Sequence, residues 1–175
     1  MISLFARNIV LRPLEEGDLD MLWEMSKLPQ IVNFMEWEPP ESREEFDQLP
    51  TKERNLFCRK EAYCFVITDR SGAFVGRCVL RKKSLGWFVG FFIHPDMQRK
   101  GYATEAVRRL AVFAKEFVGI PRIFAHVLPH NTRSIRVLEN AGMQYAGIAE
   151  EKFAKTGETL HLYVKNPPSS LLEDC

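Results

Sequence analysis

Residues 93–106 constrain the fold more than any other stretch, because an apolar strand end passes through a short basic loop directly into a helix. The loop has the pattern Gln98-x-x-Gly101-x-Ala103, and Arg99 and Lys100 bring two positive charges to it. The first turn of a helix leaves backbone N–H groups without intrahelical partners, and these groups attract an anion. Gly101 lets an oxygen of that anion approach the backbone without meeting a Cβ. The segment therefore predicts a pyrophosphate site, although an ordinary helix start beside basic residues fits the same pattern.

The helix after this loop is predicted from apolar residues that recur at the spacing of one helical face. That face comprises Ala103, Ala106, Val107, Leu110, Ala111, Ala114 and Phe117. Glu105 in the first turn suits the positive end of the helix dipole. Gly119, followed by Pro121, is expected to end the helix.

The remaining sequence mixes strand and helix patterns, which predicts an α/β (α+β) fold. Strands are expected at residues 9–12, 63–68, 74–81, 86–93, 122–128, 143–148 and 159–164. A helix is expected at residues 15–26, and another after Asn131 as its N-cap. Residues 29–50 are punctuated by proline, and we expect them to be irregular apart from a short helix that Ser42 caps.

Length and composition predict one packed domain. A chain of 175 residues with 46% hydrophobic residues can bury one substantial core. We expect a single domain over residues 1–166 and a short loose tail over residues 167–175. The net charge of +1 argues against nucleic-acid binding driven by bulk charge.

Neither a membrane segment nor a secretory pattern is found in the sequence, because no apolar run approaches the ~20 residues that a bilayer requires. The four cysteines lack the paired spacing of a structural zinc site. We therefore expect free thiols, a cytoplasmic protein, no membrane partner and no metal.

Three sequence blocks together resemble the GCN5-related N-acetyltransferases (GNAT). Residues 93–103 are similar to the acetyl-coenzyme A loop of that family, which has Gln/Arg-x-x-Gly-x-Gly/Ala after a strand. Residues 131–143, opening with Asn131 and closing with Gly142-Met143, resemble a later helix of the family. Residues 8–19 resemble the first strand and helix of the branch that contains the ribosomal-protein N-terminal acetyltransferases of the RimJ/RimL type and related small-molecule acetyltransferases. The order and spacing of the blocks are specific, whereas any one of them alone is not.

The resemblance implies the GNAT fold, a mixed and mostly antiparallel sheet of about six or seven strands, splayed in the middle and flanked by about four helices. In that family the pantetheine arm of the cofactor lies in the splayed gap like an added strand. The cofactor-binding residues that this implies are Phe91, Phe92, Ile93, Gln98, Arg99, Lys100, Gly101, Tyr102, Ala103, Thr104 and Asn131. The first three also fit plain sheet core, and Asn131 also fits a simple helix cap.

The implied function is transfer of the acetyl group of acetyl-CoA to a primary amine, directly within a ternary complex. Ser134 is the implied proton donor to the departing thiolate, or else a small residue that allows close approach of the cofactor. Leu138 occupies the position where many members have a tyrosine that acts as the general acid. A non-catalytic acyl-CoA sensor of the same fold is therefore the alternative. A domain for another nucleotide is disfavoured, because no Gly-Lys-Ser/Thr follows the loop.

The general base and the acceptor amine stay open. The conceivable bases are Glu36, Glu38, Glu44, Glu150, Glu151, His94, His126 and His161. Substrate contacts are expected from residues 35–46, with Glu36 and Trp37 as candidates, and from residues 153–160. The same apolar residues would also anchor the loop. The acceptor is expected to be a protein N-terminus or a small amine such as a polyamine, an aminoglycoside or an amino-acid analogue, and the protein a monomer or homodimer.

Overall fold

A computed structural model describes residues 2–166, so the predicted tail lies outside the described residues. Within that range eight strands form one sheet in the order β1-β2-β3-β4-β5-β6-β8-β7. The strands are β1 Leu4–Phe5, β2 Ile9–Arg12, β3 Ala62–Asp69, β4 Phe74–Lys82, β5 Trp87–Ile93, β6 Ile123–Val127, β7 Gln144–Lys152 and β8 Thr159–Lys165. All neighbours are antiparallel except β5 and β6, which are parallel. The mixed, mostly antiparallel sheet is therefore confirmed, with β1 as a strand that was not predicted.

Six α-helices are present in the described residues, against about four expected. They are α1 Leu19–Met25, α2 Pro29–Val32, α3 Arg43–Phe46, α4 Leu49–Cys58, α5 Tyr102–Phe113 and α6 Thr132–Asn140. The expectation of an irregular segment at residues 29–50 was wrong for α2 and for the start of α4. Both helices carry proline in the first turn, where its missing N–H costs no hydrogen bond. The predicted cap of α3 is present, since the Ser42 hydroxyl accepts a hydrogen bond from the Glu45 N–H at 3.2 Å.

The main core lies between the sheet and α5. Ala106, Val107, Leu110 and Ala111 are fully buried there, as the periodicity predicted. Phe117 was predicted on the same face but is 58% exposed. The backbone widens to a π-helix at Ala114–Val118, and the extra residue in that turn rotates Phe117 off the buried face.

The start of the chain is tied to the helix α5 by a polar contact. Glu105 accepts hydrogen bonds from the backbone N–H and the side-chain amide of Asn8, at 2.6 and 2.9 Å. A second contact fixes the turn after β2, where Arg12 and Asp18 form a bidentate ion pair with both N–O distances at 2.7 Å.

In residues 2–166 we find no helix that is long and apolar enough to cross a membrane.

The hairpin of β4 and β5 is tight. Lys83 and Gly86 exchange backbone hydrogen bonds at 2.7 and 3.3 Å around a two-residue turn. At the other end the two backbones approach so closely that a Cβ on Gly76 would lie 2.2 Å from the Phe92 carbonyl oxygen. This hairpin holds one wall of the site described next.

Candidate functional site

A cleft opens where β5 and β6 separate. In the described chain their parallel ladder comprises just two pairs, Trp87 with Ile123 and Phe88 with Phe124, after which the strands diverge. The cleft has a volume of about 700 Å³ and is lined along one side by Phe88 to Phe92 and along the other by Ala125 to Leu128. The splayed sheet expected from the sequence is therefore present.

The backbone orientation of β5 decides which residues face this gap. The backbone N–H of His94 donates to the Val75 carbonyl at 2.8 Å, so the backbone groups of His94 point towards β4. Backbone groups alternate in direction along a strand, so those of Phe92 also point towards β4, while those of Phe91 and Ile93 point towards the gap. Of the three predicted backbone contacts, the geometry supports Phe91 and Ile93. The side chain of Phe92 lines the cleft, but its N–H is directed to the hairpin partner.

The predicted pyrophosphate loop joins the open end of the gap to the helix α5. The Gln98 side-chain amide donates to the Ile93 carbonyl at 3.2 Å, which holds the loop against the end of β5. Arg99 and Gly101 both have positive φ, at 64° and 81°. Residues of positive φ that alternate with residues of ordinary φ turn successive N–H groups towards one point and form an anion-binding nest. A Cβ on Gly101 would meet no protein atom within 4 Å, so the space above the loop is open, and Tyr102, Ala103 and Thr104 follow in the first turn of α5.

The start of α6 lines the opposite wall of the cleft through Asn131, Ser134 and Leu138. The Asn131 side-chain oxygen accepts from the Ser134 N–H at 3.2 Å, which shows the N-cap that the sequence predicted. The amide nitrogen of the same side chain keeps its donor capacity, so capping and a contact with a ligand in the cleft are compatible.

A polar cluster that sequence reasoning did not assemble lies at the closed end of the cleft. The His126 Nδ1 is 3.1 Å from a carboxylate oxygen of Glu36 and 3.7 Å from one of Glu151. The Lys83 ammonium lies among all three, at 2.5 Å from Glu36, 3.5 Å from His126 and 3.5 Å from Glu151. The His126 side chain is 6% exposed and packs on the Phe88 ring at a centroid distance of 4.4 Å.

Two carboxylates of this cluster, those of Glu36 and Glu151, surround one ammonium, that of Lys83. Burial acts to raise the pKa of Glu36, but hydrogen bonding with His126 and Lys83 outweighs it and lowers the pKa to about 2. Glu36, His126 and Glu151 each place a ligand atom within 4.8 Å of the others, a spacing that a metal ion can use. The Lys83 ammonium supplies the positive charge among them.

The cleft is also lined by the unpredicted helix α4, whose Glu53 forms a buried ion pair with Arg77 of β4. Cys64 of β3 is another lining residue, and burial and the negative charge of Glu53 raise its pKa to about 11. That thiol is therefore neutral at physiological pH, and its chemistry is that of a packing residue.

The other candidates are divided by the structure. Trp37 and Glu38 line the cleft beside Glu36. Trp37 also packs on the Phe46 ring, at a centroid distance of 6.4 Å, so the structure also agrees with the interpretation that Trp37 anchors the loop. Five candidates do not line the cleft: Glu44, Glu150, Glu151, His94 and His161. Of these, Glu151 reaches the cluster through its contacts with Lys83 and His126. His161 packs against Tyr145 instead, at 5.0 Å.

Comparison with known proteins gives the family. The family model of the acetyltransferase (GNAT) domain matches residues 8–144. The chain belongs to the GNAT acetyltransferases. This match confirms the resemblance drawn from the sequence and the acetyl-CoA-dependent N-acetyltransferase that it implied.

Individual relatives match nearly the whole length of this GNAT chain. An uncharacterised N-acetyltransferase, p20 of Bacillus licheniformis, is 23% identical over 168 residues, which are 94% of each chain. The solved RimL ribosomal-protein acetyltransferase in complex with coenzyme A superposes with a TM-score of 0.81 at 14% identity, covering 94% of this chain and 98% of that one. The spermidine N-acetyltransferase of Vibrio cholerae, in complex with CoA and spermine, gives 0.76 at 22% identity, with coverages of 91% and 96%. Both solved structures therefore share the fold of this chain.

Proposed function

We propose that the protein transfers the acetyl group of acetyl-CoA directly to a primary amine within a ternary complex. The observation that carries this proposal is the gap between β5 and β6, which begins at an anion-binding loop and ends at a buried histidine. Phe91 and Ile93 offer backbone groups to a pantetheine arm laid along the gap, as a neighbouring strand would do. Gln98, Arg99, Lys100 and Gly101, with the first turn of α5, receive the pyrophosphate.

The length of the gap suits this placement. From Ile93 back to Phe88, β5 rises roughly 16 Å at the usual rise per strand residue. An extended pantetheine arm spans a similar distance. The thioester then lies near Phe88, beside His126 and opposite Ser134.

The chemistry needs one group to take a proton from the amine and another to return one to sulfur. We propose that neutral His126, in the tautomer with its hydrogen on Nε2, takes the amine proton on Nδ1. Glu36 and Glu151 lie 3.1 and 3.7 Å from that nitrogen and stabilise the resulting imidazolium. The amine nitrogen forms the new bond to the acetyl carbon, and the bond from that carbon to sulfur breaks. Ser134 is the proposed proton donor to the thiolate. The backbone N–H groups of β5 that face the gap polarise the thioester oxygen.

The acceptor class follows from the same cluster. Two carboxylates around one point favour a cationic head group, which an amine carries before it loses its proton. Among the neighbours, RimL is a ribosomal-protein acetyltransferase, and the Vibrio enzyme was solved with spermine. We therefore propose a primary amine on a protein N-terminus or a small cationic molecule.

The sensor alternative rests on Leu138, which is buried and lines the cleft where other members have an acid. His126 and Ser134 in the same cleft favour catalysis over mere binding.

The test has two stages. Calorimetric titration should show that the wild-type protein binds acetyl-CoA, and a thiol-release assay with a panel of amines should show turnover. His126→Ala should then lower kcat about a hundredfold, the usual contribution of a general base, and leave acetyl-CoA binding intact.

The matched control is His161→Ala, which removes a histidine of the neighbouring strand β8 that lies outside the cleft. Its kcat should stay near the wild-type value. Binding of acetyl-CoA without turnover of any amine would favour the non-catalytic sensor over the enzyme. Absence of acetyl-CoA binding would overturn the proposal.

A further inference from the structure

The most unusual feature of the cleft is an amine that the protein itself supplies. The Lys83 ammonium lies 2.5 Å from Glu36 and 3.5 Å from both the His126 Nδ1 and Glu151. It also lies over the Phe88 ring, 5.0 Å from the centroid. The side chain is 21% exposed, so most of it is enclosed by the cleft.

The position of this amine follows from the hairpin. Lys83 comes directly after β4 and is paired with Gly86 across the two-residue turn, one residue before the start of β5. Phe88, on which the ammonium rests, is also the last β5 residue paired with β6. The Lys83 nitrogen therefore lies at the closed end of the gap, where the thioester of a cofactor bound along β5 would end.

Resting on the function proposed above, we propose that Lys83 is an acetylation site of the protein itself, with acetyl-CoA bound in the same cleft as the donor. The Lys83 ammonium first gives a proton to the unprotonated Nδ1 of neutral His126, 3.5 Å away. The neutral nitrogen then attacks the acetyl carbon, so that an N–C bond forms and the C–S bond breaks. The nitrogen gives up its second proton to solvent, and the thiolate takes one from the Ser134 hydroxyl or from water and leaves as CoA.

The surroundings select this lysine over its neighbours. Lys52 also lines the cleft, but its ammonium is paired with Glu45 at 3.0 Å and the side chain is 48% exposed. Lys82 precedes Lys83 and is exposed to solvent. Lys83 alone among these three lies within 3.5 Å of His126 in the described structure.

Acetylation of Lys83 would change the acceptor site. The neutral amide cannot pair with Glu36 and Glu151 as an ammonium does, so both carboxylates become available to the ammonium of an external substrate. The resident amine thus competes with the substrate until it is modified.

The experiment is incubation of the full-length wild-type protein with acetyl-CoA and no added amine, followed by peptide mass spectrometry. Lys83 should gain the mass of one acetyl group with a first-order rate that does not change with protein concentration. His126→Ala should slow this rate about a hundredfold. In Lys83→Arg, which keeps the charge next to Glu36, the acetylated peptide should be absent, whereas Lys82→Arg should leave the modification of Lys83 unchanged.

Three results would overturn the proposal while leaving the enzyme function intact, provided that the same preparation binds acetyl-CoA and acetylates an external amine. These are an unmodified Lys83, equal modification of Lys82 and Lys83, and a rate that rises with protein concentration. A preparation that binds no acetyl-CoA would instead overturn the proposed function, and this inference with it.

Discussion

Gly101→Ala separates the anion-binding role of the loop from its backbone strain. Gly101 has φ +81°, and a Cβ there would meet no protein atom within 4 Å. Alanine therefore adds no clash within the protein, but it must adopt a left-handed conformation that costs an L-residue roughly 1–2 kcal/mol. In a chain of this size that cost lowers Tm by roughly 2–8 °C.

The effect on the cofactor should be larger than this strain explains. The new methyl group would occupy the open space above the loop, where we place the pyrophosphate. Loss of one charge-assisted hydrogen bond from a backbone N–H costs about 1.5–3 kcal/mol, which weakens acetyl-CoA binding roughly ten- to hundredfold. Calorimetric titration of acetyl-CoA at a temperature well below Tm measures this loss of affinity.

Gly119→Ala is the matched control for strain. Gly119 ends the π-helix with φ +76°, and a Cβ there would also meet nothing within 4 Å. The two variants should lose similar stability, but Gly119→Ala should bind acetyl-CoA as the wild type does. Equal acetyl-CoA affinity in wild type and Gly101→Ala, alongside equal Tm losses in both variants, would refute the assignment of the pyrophosphate to this loop.

Three further changes test the hairpin, the N-terminal turn and the acid. Gly76→Ala would place its Cβ 2.2 Å from the Phe92 carbonyl oxygen. Urea unfolding should therefore show that the free energy of unfolding falls by about 3 kcal/mol or more. An unfolding midpoint equal to that of the wild type would contradict the close approach. Burial favours the neutral acid of Asp18, but hydrogen bonds from Arg12 and from the Glu15 N–H outweigh it and lower its pKa. The stabilisation is therefore complete above the unfolded value near pH 4 and is lost as pH falls through the folded pKa. Asp18→Asn should accordingly cost about 3 kcal/mol at pH 7 and progressively less below pH 4, and a difference that does not vary with pH would argue against the ion pair. Ser134→Ala should lower kcat without changing acetyl-CoA affinity if its hydroxyl protonates the thiolate, and an unchanged kcat would reduce Ser134 to a spacer.

The sequence predicted the elements with strong periodicity and missed those that depend on local exceptions. The apolar face of α5 and the alternating strands were confirmed because burial imposes their period. The start of helix α4 was missed because the prolines of residues 29–50 favoured an irregular segment, although proline is tolerated in the first turn of a helix. Phe117 was misplaced because a π-turn leaves no mark in a hydrophobic pattern.

The cofactor side of the candidate site was foreseeable and the acceptor side was not. The loop and its glycine are contiguous in sequence, so their spacing carries the signal. The contact between Glu36 and His126 joins residues 90 apart, and no spacing rule connects them. The one available hint was the position of His126 in a predicted strand, on the face opposite Ala125 and Val127. That alternation places the imidazole on one side of the sheet but does not name its partners.

The single parallel pair of strands has an electrostatic consequence. Because β5 and β6 run in the same direction and each is followed by a helix, the N-termini of α5 and α6 both lie beyond the carboxyl ends of these strands. Two helix dipoles thus direct their positive ends towards one opening. The end of α5 faces the proposed pyrophosphate site, whereas the end of α6, which carries Ser134, faces the proposed thioester. A negatively charged thiolate that forms there is stabilised by α6 before any side chain donates a proton to it, because a helix N-terminus lowers the pKa of a nearby thiol. The arrangement of the chain itself therefore eases departure of the leaving group, and this contribution would persist even in a variant that lacks the Ser134 hydroxyl.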